Sequence, residues 1–137
     1  MAIELTEGQR TLLEGKHFGT IATVTPQGVP SQVLVWYMLT GSEIVITTQD
    51  TSFKVRNIEK TGWASLSVAD GPKFITVRGR ATVDHDRATV EPTRVQIVTR
   101  YVGPEDAEKW IATMSRGNEF HSVIIHIPVE HVMGAQA

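Results

Sequence analysis

The chain has 137 residues, 41% of them hydrophobic, which suits one domain with a real core. Its 13 basic and 15 acidic side chains leave a net charge of -2, so no global field recruits nucleic acid or an anionic membrane. There is no cysteine, which excludes disulfides, thiolate catalysis and zinc-thiolate or iron-sulfur centres. No charged start with an apolar run behind it opens the chain, and no stretch reaches membrane-spanning length. The expectation is a cytoplasmic protein forming a single domain over residues 1–137.

Thr6 with Gln9 forms a capping-box pattern, so a small helix with Leu12 and Leu13 on its apolar edge is expected to end near Lys16. Residues 17–25, rich in Thr, Val and Ile, predict a strand in which Gly19 allows a close approach. Thr25-Pro26-Gln27-Gly28 has the proline and glycine of a hairpin turn. In the second strand, residues 29–39, both faces are mostly apolar, which predicts a strand covered on both sides. A turn at Thr40-Gly41-Ser42-Glu43 leads to a third strand at 44–48.

Residues 47–57, TTQDTSFKVRN, read as the functional stretch: a strand ends in hydroxyls and an amphipathic helix starts. Asp50, Thr51 and Ser52 are all N-cap candidates, and the first helical amides lack partners. Lys54 in the first turn opposes the positive end of the macrodipole unless an anion sits there too. Amides, the hydroxyls of Thr47, Thr48 and Ser52, and the Lys54 ammonium together suit a phosphate.

Thr61-Gly62 closes that helix, and strands follow at 63–69 and 73–83, with Gly79 marking a bulge or barrel corner. From Asp86 the pattern turns helical, with Val95, Val98 and Tyr101 or Val102 at helical spacing, and Pro92 is expected to divide this region. A helix beginning at Pro104 turns Ala107, Trp110, Ile111 and Met114 inward and stops at Arg116-Gly117-Asn118. Residues 120–129 make a last strand, and the tail from His131 is too short for an element of its own. The order predicts a mostly β protein, a six-stranded antiparallel barrel with a few short helices.

With these pieces placed, the chain resembles the flavin/deazaflavin (FMN-binding) split-barrel superfamily, which includes pyridoxamine 5'-phosphate oxidase and the deazaflavin-dependent reductases. The match rests on GTIATVTPQGVPSQVLVWYML at 19–39, ITTQDTSFKVRNI at 46–58, WASLSVAD at 63–70 and FITVRGRATVDHD at 74–86, and extends to RYVG at 100–103. The resemblance implies a homodimer with cofactor sites at the subunit interface. It implies a phosphate held near Thr47, Thr48, Ser52 and Lys54, with Asn57 part of the same motif, and a ring system over Gln32, Val33 and Leu34. Lys73 and Phe74 would approach from the partner subunit.

The chain also departs from the oxidase pattern. Gln32 and Tyr37 stand where that enzyme carries an arginine and a lysine, and PVEHVMGAQA lacks its C-terminal tryptophan and arginine. The resemblance therefore favours the branch using coenzyme F420, whose anionic tail suits Lys54, Arg56 and Lys73, over pyridoxamine oxidation. It implies hydride transfer from reduced deazaflavin to a small electron-poor substrate, with no acid or base required and any proton coming from solvent or a hydroxyl such as that of Tyr37. The alternatives are an FMN-dependent oxidase or reductase on the same fold, and a protein that holds a flavin-like or haem-like ligand without turnover.

His121 and His126 fall on opposite faces of a strand and cannot share an ion, so no metal is expected. Ser65 and Ser67 lack a nucleophile elbow. Trp36 and Tyr37 read as packing residues, and Arg78 and Arg80 as solvated charges.

Overall fold

A computed structural model of the chain describes residues 3–114 and 121–134. The elements run α1 (Glu7–Glu14), β1 (Gly19–Val24), β2 (Pro30–Val35), β3 (Tyr37–Thr40), β4 (Glu43–Gln49), α2 (Phe53–Thr61), β5 (Trp63–Asp70) and β6 (Lys73–Arg80). They continue through β7 (Thr82–Asp84), α3 (Arg87–Val102), α4 (Pro104–Met114), β8 (Ser122–Pro128) and β9 (His131–Gly134). One antiparallel sheet has the order β2-β1-β5-β6-β9 and the other β3-β4-β8-β7. The six runs expected from the sequence are all present, two of them bent. The second strand bends at Trp36 and the fifth at Ala81, and each crosses from one sheet to the other, closing a split barrel.

Burial follows from these two sheets. In β5 and β6, Ala64, Leu66, Val68, Ile75 and Val77 point inward while Ser65, Ser67, Thr76 and Arg78 face out, the alternation of a sheet covered on one side. β4 and β8 are apolar on both faces because both are covered. Ile44, Ile46, Ile125 and Ile127 fill the barrel, while Val45 and Ile124 pack beneath α3 against Val90 and Ile97. Burying each such side chain stabilises the fold by roughly 1.5–3 kcal/mol. Leu12 and Leu13 of α1 and Val55 and Ile58 of α2 join the barrel core.

Several local expectations are corrected. Pro92 lies inside one continuous α3, in its second turn, behind an N-cap in which Asp86 accepts from the Ala88 amide. The buried stripe of α3 is Val90, Arg94, Ile97 and Val98, and Val95 points outward, 41% exposed. The tail does form an element: β9 pairs along β6, with Val132 opposite Val77. The expected stop at Arg116-Gly117-Asn118 and the start of the last strand at Phe120 lie outside the described residues. Gly79 is not the corner itself; a Cβ there would sit 1.9 Å from the Pro128 carbonyl oxygen, so it is the point where β6 passes the end of β8.

At the bend after β7, the Asp84 carboxylate accepts from the Thr89 hydroxyl at 2.6 Å and the Asp86 amide at 2.8 Å, tying the strand to the start of α3. These hydrogen bonds hold its pKa below the ordinary carboxylate value. A depressed carboxylate stabilises the fold above its unfolded pKa, and that contribution is lost as pH falls through the folded one. Asp84→Asn should therefore cost about 1 kcal/mol at neutral pH, read from urea melts, and the difference from wild type should close as the medium is acidified. A deficit independent of pH would remove this role.

Candidate functional site

β4 ends in Thr47, Thr48 and Gln49, and a short turn carries the chain into α2. Ser52 is the N-cap, with extended backbone, yet its side chain makes no capping bond. Both Ser52 Oγ and Asp50 Oδ1 are buried without a hydrogen-bond partner. Buried oxygens of this kind are costly unless something else satisfies them. The first turn of α2 contains no acid. Lys54 is half-buried, has no carboxylate partner among the described residues, and burial pushes its pKa below the ordinary lysine value.

Lys54, Thr47, Thr48 and Gln49 form the polar end of an open cleft of about 390 Å³. Its other walls are apolar: Leu34, Val35 and Trp36 from the end of β2, Phe18 at the mouth, and Trp110 and Met114 from α4. The aromatic wall is fixed from behind. Tyr101 stacks on Trp36 with centroids 4.9 Å apart and planes 6° from parallel, and lies 6.4 Å from Phe18. Its hydroxyl donates to the His17 carbonyl at 2.7 Å and accepts from the Tyr37 amide at 3.2 Å. Next to it, the Arg100 guanidinium donates to the carbonyls of Glu14, Gly15 and Tyr37, closing the C-terminal end of α1.

The structure thus brings together Leu34, Thr47, Thr48 and Lys54, with Ser52 at their corner. Gln32 and Val33 lie beside the cleft on the exposed edge strand β2. Asn57 is elsewhere: it is buried, and its amide donates to Thr23 Oγ1 at 3.0 Å, tethering α2 to β1. Lys73 and Phe74 stand at the β5–β6 turn on a separate groove against α1, so in a single chain they do not reach Lys54. Tyr37 is wholly buried, its hydroxyl donates to the Leu13 carbonyl at 2.7 Å, and burial pushes its pKa up to about 12. It cannot pass a proton to anything in the cleft.

The aromatic residues Trp36 and Trp110 that line the cleft were not among the expected binding residues. Trp110 was expected to point inward, yet it is 45% exposed, and Ala107 is the one buried residue of α4. The available signal was its setting, a tryptophan among the polar or small Glu108, Lys109, Ala112 and Thr113.

The profile of the family described as pyridoxamine 5'-phosphate oxidase matches residues 5–127. The chain belongs to the pyridoxamine 5'-phosphate oxidase family. Within reach of this family, the chain is 25% identical over 134 residues to the F420H(2)-dependent biliverdin reductase of Mycobacterium tuberculosis, covering 96% of this chain and 88% of that protein. A solved structure described as F420 reductase is 26% identical, superposes with a TM-score of 0.76, and is matched over 94% of this chain and 98% of its own. A conserved hypothetical protein of Mycobacterium tuberculosis shares the fold, with a TM-score of 0.80 at 20% identity over 98% of this chain and 86% of the other. The β4–α2 corner and the apolar cleft floor thus belong to a pyridoxamine 5'-phosphate oxidase family barrel. No helix among the described residues is long and apolar enough to cross a membrane.

Proposed function

We propose that this protein is an F420H2-dependent reductase acting on a small electron-poor substrate. The observation that carries the reading is the N-terminus of α2, where a half-buried Lys54 with no carboxylate partner among the described residues shares a cleft with Thr47 and Thr48, next to the N-cap Ser52, whose Oγ is buried and unsatisfied. The oxygens of a phosphate can accept from the Lys54 ammonium, the Ser52 hydroxyl and the first amides of α2, with one of the two threonine hydroxyls beside them. The likeness to the F420H(2)-dependent biliverdin reductase and to F420 reductase supports the deazaflavin over FMN. When bound, the reduced deazaflavin supplies the hydride; the protein's part is to grip the phosphate, lay the ring along β2 and exclude water.

The same reading includes a homodimer. The β2 strand leaves Val33 45% and Leu34 63% exposed on opposite faces, and Met133 and Phe74 are open on the outer face of the same sheet. The two-sided apolarity of the second strand was expected to be covered; from Val35 to Leu39 it is, whereas one chain leaves Val33 and Leu34 open. A second copy would cover it and bring Lys73 and Phe74 to the neighbouring cleft.

Titration of purified protein with F420 and with FMN, followed by fluorescence, tests the assignment. F420 should bind more tightly, and its affinity should fall as salt is raised, because an exposed anionic tail is screened. Reduced F420 should then be reoxidised by an electron-poor acceptor in the presence of the protein. Preference for FMN, or indifference to salt, would overturn the deazaflavin assignment.

A further inference from the structure

α4 has little apolar surface to hold it in place. Ala107 is its one buried residue, it packs chiefly on α3, and Gly103, with a φ of 87°, separates the two helices. The anchor is polar. Arg94 of α3 is 3% exposed, pairs with the Glu91 carboxylate at 3.1 Å and donates to the Ile111 carbonyl of α4 at 3.1 Å. That carbonyl is among the last four of α4, which find no partner within a helix. α4 carries Glu105 and Asp106 in its first turn and no base in its last, so a guanidinium from α3 supplies the cation that the negative end of the dipole lacks. Glu91 also accepts from Arg87, which donates in turn to the Ser122 carbonyl, so one acid steadies the start of β8 as well. The bonded carbonyl adjoins Trp110, whose ring meets Trp36 with centroids 5.6 Å apart and planes at 53°, a corner rather than a stack. The facing wall is set independently, since Tyr101 backs Trp36, and Lys54 stands on α2.

From this we infer that Arg94 is a positioning residue for the cofactor: its grip on Ile111 sets the gap between α4 and β2 in which the deazaflavin ring lies. The inference rests on the reductase reading and adds to it the residue that fixes the ring end of the cleft, as Lys54 fixes the phosphate end. A buried charge is a poor source of stability, because an apolar side chain of like volume in its place is often neutral or better. Methionine at position 94 leaves neither of these two partners stranded: the Glu91 side chain is 42% exposed and Ile111 is half-buried, so water takes over both. What the guanidinium supplies and methionine does not is direction, since its planar fork joins α3 to α4 in one geometry. The fold therefore survives its loss, while the Trp110 wall loses its fixed distance from β2.

Arg94→Met and Arg94→Lys test this, each made in a Trp63→Phe background that leaves tryptophan emission to Trp36 and Trp110. Arg94→Met should melt within a few degrees of the background protein, yet acrylamide should quench its tryptophan emission more strongly in the absence of any ligand. Its Kd for F420, read by fluorescence titration, should rise about tenfold, while the fall of affinity with salt, which reports Lys54, stays as in the background protein. Arg94→Lys keeps the charge and a donor, so it should recover part of both the shielding and the affinity. Quenching and Kd unmoved by Arg94→Met overturn the inference. So does a loss of fold, or a loss of salt dependence together with affinity, since either would make Arg94 a general support of the structure. Failure of the unsubstituted protein to bind F420 sinks the reductase reading instead, and the quenching of the free variants then decides alone whether Arg94 holds α4.

Discussion

Lys54→Ala is expected to weaken F420 binding about 10- to 150-fold, the 1.5–3 kcal/mol scale of a charge-assisted hydrogen bond. The argument is electrostatic. A lysine in the first helical turn of α2 faces the positive end of the dipole, no acid in that turn offsets it, and burial already lowers its pKa. With the folded pKa depressed, the unfolded chain binds the proton more tightly, so stability of the free protein rises as pH passes upward through the folded value. An anion reverses this preference by stabilising the charged form, so affinity should decline at alkaline pH as Lys54 deprotonates. The alanine variant should lose that alkaline decline and much of the salt dependence while gaining slightly in thermal stability. Isothermal titration at several pH values decides the matter, and an unchanged dissociation constant in Lys54→Ala would leave the phosphate assignment without support.

Gly79→Ala should be the most damaging substitution for the fold, costing about 3 kcal/mol or more. An added Cβ would meet the Pro128 carbonyl oxygen at 1.9 Å and the carbonyl carbon at 3.1 Å, both backbone atoms. Neither can move without parting β6 from the end of β8, where Val129 and Glu130 are bonded to Ser42 and Arg78. Gly19→Ala is the matched control. There the nearest atom, at 2.6 Å, is Leu66 Cδ1, the tip of a side chain that can rotate away, so a cost of about 1 kcal/mol is expected. Urea melts at one protein concentration would compare them. Equal stabilities for the two variants would mean that the crossing is looser than the backbone contact requires.

What could be read from the sequence was what local chemistry announces. The hydroxyl-ended strand and the misplaced lysine at 47–54 marked this corner out, and the structure places Thr47, Thr48 and Lys54 on one cleft, the proposed anion site. The capping box at Thr6 and Gln9 is present with both of its bonds. Hairpin turns at Gly28, Gly41 and Gly71 were legible from glycine, and each has positive φ. The bends at Trp36 and Ala81 were not legible, since neither uses glycine or proline and each is imposed by the two sheets together. Asn57 was assigned by motif to the ligand, but helical geometry turns it toward Thr23. The Trp36–Trp110 corner joins residues far apart in the chain through Tyr101, which no local pattern encodes.

The closure of the second sheet sets the order in which the chain can complete itself during synthesis. β4 is joined along its whole length to β8, Glu43 opposite Pro128 and Gln49 opposite Ser122. Until those late residues leave the ribosome, one side of β4 stays unpaired with its isoleucines uncovered, although β3 is already in place. The nascent protein therefore keeps a sticky open border until β8 has been made, and a chaperone bound there would be released only when β8 docks.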